Sequence, residues 1–74
     1  MQPFDGRDLT YSELKQFFRS TNIDPEYVLQ AEIYIQSIDI LIAVHGKNVS
    51  KHAHATHCKR ELQNIFNQIV AGKE

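Results

Sequence analysis

The chain has 74 residues, with 8 Lys and Arg against 9 Asp and Glu for a formal net charge of −1; this length fits one domain, and the balance argues against a strongly basic nucleic-acid binder. The single cysteine, Cys58, excludes an internal disulfide, and no spacing of Cys and His matches a structural zinc module. A domain this small buries only about 60% of the surface its unfolded chain exposes, so burial against another copy or a partner is the expected source of further stability.

The first helix is predicted over about 11–19. Thr10-Tyr-Ser-Glu13 reads as a capping box, and Leu9 with Leu14 as a hydrophobic staple. Phe17 and Phe18 continue the apolar face at helical spacing. Ser20, Thr21 and Asn22 form a polar break.

The second helix is predicted over 25–45. Asp24 is a good N-cap, Pro25 suits the first helical position, Ile23 with Val28 repeats the staple, and Gly46 is a stop. On a helical wheel, Tyr27, Ala31, Tyr34, Ile35, Ile38, Leu41 and Ile42 gather on one wide apolar face. Leu29, Ile33, Ile40 and Val44 gather on a second, narrower one. Glu32, Gln36 and Asp39 leave a thin polar stripe, interrupted on the far side by Gln30 and Ser37. A helix apolar on most sides must be largely buried, and a chain of this length offers too few neighbours to cover both faces. The competing reading makes Ile38–Val44 a strand, because Ile38, Ile40, Ile42 and Val44 alternate and are β-branched. No second run in the chain would pair with it, so that sheet would have to form between molecules.

The third helix is predicted to start after Asn48 or Ser50 as N-cap, spanning about 50–71 with Gly72 as C-cap. Cys58, Leu62, Ile65, Phe66 and Ile69 form its apolar stripe. A short connection between two helices of matching length favours an antiparallel hairpin. The expected fold is therefore all-α: a single domain over 1–74, a hairpin of 25–45 and 50–71 with a short N-terminal helix, dimerising into a helical bundle.

Charge is uneven along the chain. Residues 1–40 hold three basic and seven acidic groups, whereas 41–60 hold Lys47, Lys51, Lys59 and Arg60 with no acid, together with His45, His52, His54 and His57. Lys47, Lys51, His52, Lys59 and Arg60 are types that grip phosphates or an acidic partner. They are equally suited to a solvated face. On a helix, His54 reaches the level of His57 and Cys58, the ligand types of zinc or nickel. A single helix supplies few of the separated ligands such sites use, and the alternative is a buried apolar Cys58 flanked by surface histidines. Cys58 as nucleophile with His54 as base would further need an oriented base, an oxyanion site and a cleft. There is no phosphate-cradling glycine loop and no Ser-His-Asp pattern.

Residues Met1–Asp8 carry charges and a proline where a secretion signal needs an apolar run. Ile33–Val44 is interrupted by Gln36, Ser37 and Asp39 and is shorter than the roughly 20 apolar residues a bilayer takes. These readings point to a cytoplasmic protein without membrane contact. The expected function is that of a small non-enzymatic regulator, adaptor or inhibitor, working as a homodimer, without a cofactor, by binding another protein. Leu29, Ile33, Ile40 and Val44 are the expected contacts, with Tyr11, Phe17, Phe18 and Tyr34 as candidate anchors, whichever of them dimerisation leaves exposed. The alternatives are a DNA-binding regulator using 47–60 and a metal-binding module using His54, His57 and Cys58.

Overall fold

The computed structural model describes residues 8–20 and 22–72. Three α-helices follow one another, α1 (Tyr11–Ser20), α2 (Pro25–His45) and α3 (Ala53–Ala71), with a 3₁₀ segment at Gly46–Lys51 between the last two and no strand among the described residues. Residues 1–7, which carry most of the segment read for a secretion signal, lie outside the described residues, as does Thr21 of the polar break.

Helix α1 starts where its capping box places it. The Thr10 N–H donates to Glu13 Oε1 at 2.9 Å, and the Glu13 N–H donates to Thr10 Oγ1 at 3.2 Å. Two of the four donors that a helix start leaves orphaned are thereby satisfied. Leu9 and Leu14, the staple pair, are both fully buried in the same core.

Pro25 opens α2, and the Asp24 carbonyl accepts from the N–H groups of Tyr27 and Val28 at 3.0 and 3.3 Å. Asp24 caps with its backbone alone, since its side chain makes no capping hydrogen bond. Residues 38–44 are helical, which overturns the strand alternative: a helix satisfies their backbone groups locally, where a lone strand would leave them unpaired. Gly46 stops the helix at φ 58°, ψ −130°, a region that disfavours any residue with a Cβ.

Neither Asn48 nor Ser50 caps α3, because both are taken up by the 3₁₀ segment. The cap is His52, whose Nδ1 accepts from the His54 N–H at 3.1 Å, and the helix starts at Ala53 instead of about residue 50. Gly72 closes the helix in a right-handed conformation, φ −82°, its N–H donating to the Gln68 carbonyl at 3.0 Å.

The core forms where the apolar stripes of the three helices meet. Ala31, Ile35 and Ile38 come from α2, Cys58, Leu62, Ile65, Phe66 and Ile69 from α3, and Leu14 and Phe18 from α1, with Leu9 ahead of it. Full burial of a Leu, Ile or Phe side chain contributes about 1.5–3 kcal/mol, so these side chains dominate the stability of so small a chain. Phe17 sets its ring edge-on to Phe66 and Phe18, with centroids 4.8 and 5.2 Å away. Two ion pairs hold α1 to α2, Lys15 with Asp39 and Arg19 with Glu32. They use the thin polar stripe of α2 and leave the face beyond it open.

Candidate protein-binding surface

With Ala31, Ile35 and Ile38 turned to the core, helical geometry turns residues about half a turn away to solvent. Leu29, Ile33, Ile40 and Val44 are 69%, 65%, 64% and 70% exposed. Large side chains left this open on one strip of a helix are unusual, because a monomer seldom exposes a contiguous apolar patch beyond a few hundred Å². Gln36 and Ser37 lie mid-strip, where the Ser37 hydroxyl donates to the Ile33 carbonyl at 3.0 Å. Neither is charged. Glu26 stands near one end and Lys47, in the 3₁₀ segment, just beyond the other, both exposed.

No family model matches the chain, and no curated protein or solved structure matches it either. The surface must therefore be read from its own chemistry.

The four aromatic residues expected as anchors do not join this strip. Phe18 is buried in the core, and Tyr11, Phe17 and Tyr34 are half-buried against it. Tyr11 is committed further: its hydroxyl donates to Asp39 Oδ1 at 2.7 Å and lies 3.2 Å from the Ile35 carbonyl oxygen. Burial, then the hydrogen bond to Asp39, pushes its phenol far above the ordinary value. Partial burial would raise the Asp39 carboxyl, but hydrogen bonds from Tyr11 and Lys15 outweigh it and hold that carboxyl below its usual value. These groups fasten α1.

The basic residues divide between two elements. Lys47 and Lys51 are exposed on the 3₁₀ segment, Arg60 is exposed on α3, and Lys59 is half-buried there. His52 is occupied as the cap of α3, with its ring 4.4 Å from that of His45.

The candidate metal ligands come together only in part. His54 Nε2 lies 3.7 Å from Cys58 Sγ, and the ring of His57 is 6.5 Å from that of His54. Among the described residues, no three His, Cys, Asp or Glu side chains converge on a position that would hold an ion. Cys58 is buried, and burial followed by the nearby Glu61 carboxylate pushes its thiol up.

Two further features were not read from the sequence. An open, mostly apolar groove of about 530 Å³ lies among Leu9, Ile38, Ile42, Val49 and Ala55, with Lys59 at its edge. The continuous stretch Pro25–Lys51, 27 residues, is long and apolar enough by length and composition to cross a membrane. One face of this stretch is committed to the protein core, and its Glu32 and Asp39 are paired to α1.

Proposed function

We propose that this chain is a small non-enzymatic regulator or adaptor of the cytoplasm that acts by binding protein, and that the outward strip of α2 is its interface. The observation that carries the proposal is the exposure of Leu29, Ile33, Ile40 and Val44 on a helix whose opposite face is core. Interfaces are centred on apolar contacts from which water is excluded, and this strip supplies them without an embedded charge.

We further read α2 and α3 as an antiparallel hairpin. In support, Tyr27 at the start of α2 lines one small hollow together with Gln68 and Ile69 at the end of α3. Ile38 and Ile42, late in α2, share the larger groove with Ala55 and Thr56, early in α3. The non-enzymatic reading rests on Cys58, whose buried, proton-holding thiol is a poor nucleophile at neutral pH.

Two isoleucines two positions apart test the reading. Ile40→Glu alters only the strip, whereas Ile38→Glu puts a charge in the core. The expected result is that Ile40→Glu stays folded by circular dichroism and loses protein association in sedimentation and in capture from cells, while Ile38→Glu unfolds. Association of wild-type protein with lipid vesicles but with no protein, abolished by Ile40→Glu, would overturn the proposal.

A further inference from the structure

The geometry points to a second copy of the same chain as the occupant of the α2 strip, laid antiparallel about a two-fold axis midway between Gln36 and Ser37. This inference rests on the reading of the strip as a protein interface and adds to it the partner, the direction and the register.

Leu29, Ile33, the adjacent Gln36 and Ser37, Ile40 and Val44 run down one side of α2 at steps of three or four residues about that central pair, the spacing that lets two helices interlock. The same strip is nearly a palindrome in chemistry. In a two-fold interface, whatever residue i touches must in turn be touched by residue i of the other copy. Set about the midpoint between positions 36 and 37, Leu29 meets Val44 of the second copy and Ile33 meets Ile40 of the second copy. At the centre, Gln36 meets Ser37 of the second copy. The Ser37 hydroxyl donates its hydrogen bond to the Ile33 carbonyl, so its oxygen is left to accept from the incoming Gln36 amide. A lone polar pair at the centre of an apolar seam fixes register, because any slip buries it against side chains that cannot answer it.

Charge decides the direction. The same symmetry brings Glu26, in the first turn of each copy, to the C-terminal end of the other copy's α2, where Lys47 follows Gly46, closing both ends of the seam with opposite charges. Both residues are exposed, and neither makes an ion pair within the described residues. A parallel pairing would instead set Glu26 beside Glu26 and Lys47 beside Lys47, like against like, and would align the two helix dipoles unfavourably. Glu32 and Asp39, the carboxylates nearest the seam, are already engaged by Arg19 and Lys15 of their own chain.

The strip is short. Helix α2 has 21 residues, so the strip is about 30 Å long. Covering it on both copies removes on the order of 1,000 Å² from water, at the lower bound of specific interfaces. An interface of this small size is of the reversible, weaker kind, so the expected pairing is concentration-dependent.

The test is a charge swap read by sedimentation equilibrium on the full chain at low salt. Glu26→Lys alone and Lys47→Glu alone should each weaken the dimer about five- to tenfold, since each breaks two exposed pairs. The double variant should restore it. Disulfide trapping gives an independent reading. A mixture of Leu29→Cys and Val44→Cys chains should yield the mixed dimer, whereas each variant alone should stay unlinked, its thiols held about 20 Å apart by the antiparallel helices. Leu29→Cys linking readily to itself, or charge swaps without effect on a dimer that Ile40→Glu still breaks, would overturn the antiparallel register and leave the strip as an interface. A chain monomeric at 100 μM would overturn self-pairing, and the capture experiment with Ile40→Glu would then decide whether the strip serves another protein.

Discussion

Lys15 Nζ on α1 stands 3.2 and 3.1 Å from the two carboxylate oxygens of Asp39 on α2, the same carboxylate that accepts the Tyr11 hydroxyl at 2.7 Å. One α2 carboxylate thus takes two donors one turn apart on α1, and the pH dependence of stability should follow. The Asp39 carboxyl is held below its ordinary 3.8, so its contribution is present above that value and is lost as pH falls through the lower folded-state value. Tyr11 is raised above its ordinary 10.0; its contribution is present below pH 10 and is lost as pH climbs beyond it. Asp39→Asn should flatten the acid limb of a Tm-against-pH curve, and Tyr11→Phe the alkaline limb. Each should cost about 1 kcal/mol at neutral pH, with little of the Asp39 loss coming from its partly exposed, solvent-screened ion pair with Lys15. Unchanged limbs in both variants would show that the Asp39 carboxylate contributes little to holding α1.

Gln63 makes a second prediction. It is buried on α3, and its Oε1 accepts the Leu9 N–H at 2.8 Å across 54 positions of sequence, while its Nε2 donates to Asn67 Oδ1 at 3.1 Å. Gln63→Leu leaves the Leu9 donor without this acceptor and should cost about 1–3 kcal/mol. Gln63→Glu keeps an acceptor and should cost less at acidic pH, where a protonated carboxyl can also still donate to Asn67, whereas at neutral pH it buries a charge. Chemical denaturation of the two variants checks the order, and equal losses would mean that packing of the side chain matters more than its hydrogen bond.

The buried thiol gives a third. Because the Cys58 thiol is buried and pushed up, alkylation of native protein at neutral pH should be slower than in denaturant by on the order of a hundredfold. Zinc and a chelator should each leave Tm unchanged. A zinc-dependent rise in Tm that disappears in Cys58→Ala would support metal binding through His54, His57 and Cys58, because a metal that binds only the folded state must stabilise it.

What could be read from sequence, and what could not, divides along a physical line. The capping box at Thr10 and Glu13, Pro25 at a helix start and Gly46 at a stop act within a turn of chain, so their effects were legible residue by residue. The two faces of α2 were legible for a related reason: helical period alone separates Ile38 from Ile40. The contacts that fasten α1 join residues 24 and 28 positions apart, Lys15 and Tyr11 with Asp39, and no local pattern announces them. The reach of Gln63 to Leu9 is longer still. Asn48 and Ser50 are suited to capping by residue type, but the chain spends them on a 3₁₀ segment that follows Gly46, and the cap passes to His52, whose residue type points to a phosphate or acidic-partner contact and not to a cap. Phe18 looked like an anchor because aromatic residues favour interfaces, yet in so small a core a large ring contributes more inside.

The fourth prediction decides the partner class. Lys47, Lys51 and Arg60 are exposed and Lys59 partly so, and if they gripped the phosphates of duplex DNA, binding would release counterions. The logarithm of affinity would then fall with the logarithm of salt, at a slope close to the number of phosphates neutralised, about four if all these residues take part. An apolar seam closed by two ion pairs carries no such obligation: salt screens its ends while the burial of Leu29, Ile33, Ile40 and Val44 persists. Raising salt from 50 to 500 mM should therefore weaken self-association by no more than the several-fold that its two exposed end pairs contribute, and no specific duplex should be retained at about 150 mM. Lys51→Ala separates the two readings, since it removes a phosphate contact but lies off the strip. It should leave association unchanged; a mobility shift that survives about 150 mM salt and vanishes with Lys51→Ala would move the function to DNA, because specific complexes keep their affinity there while non-specific contacts fade.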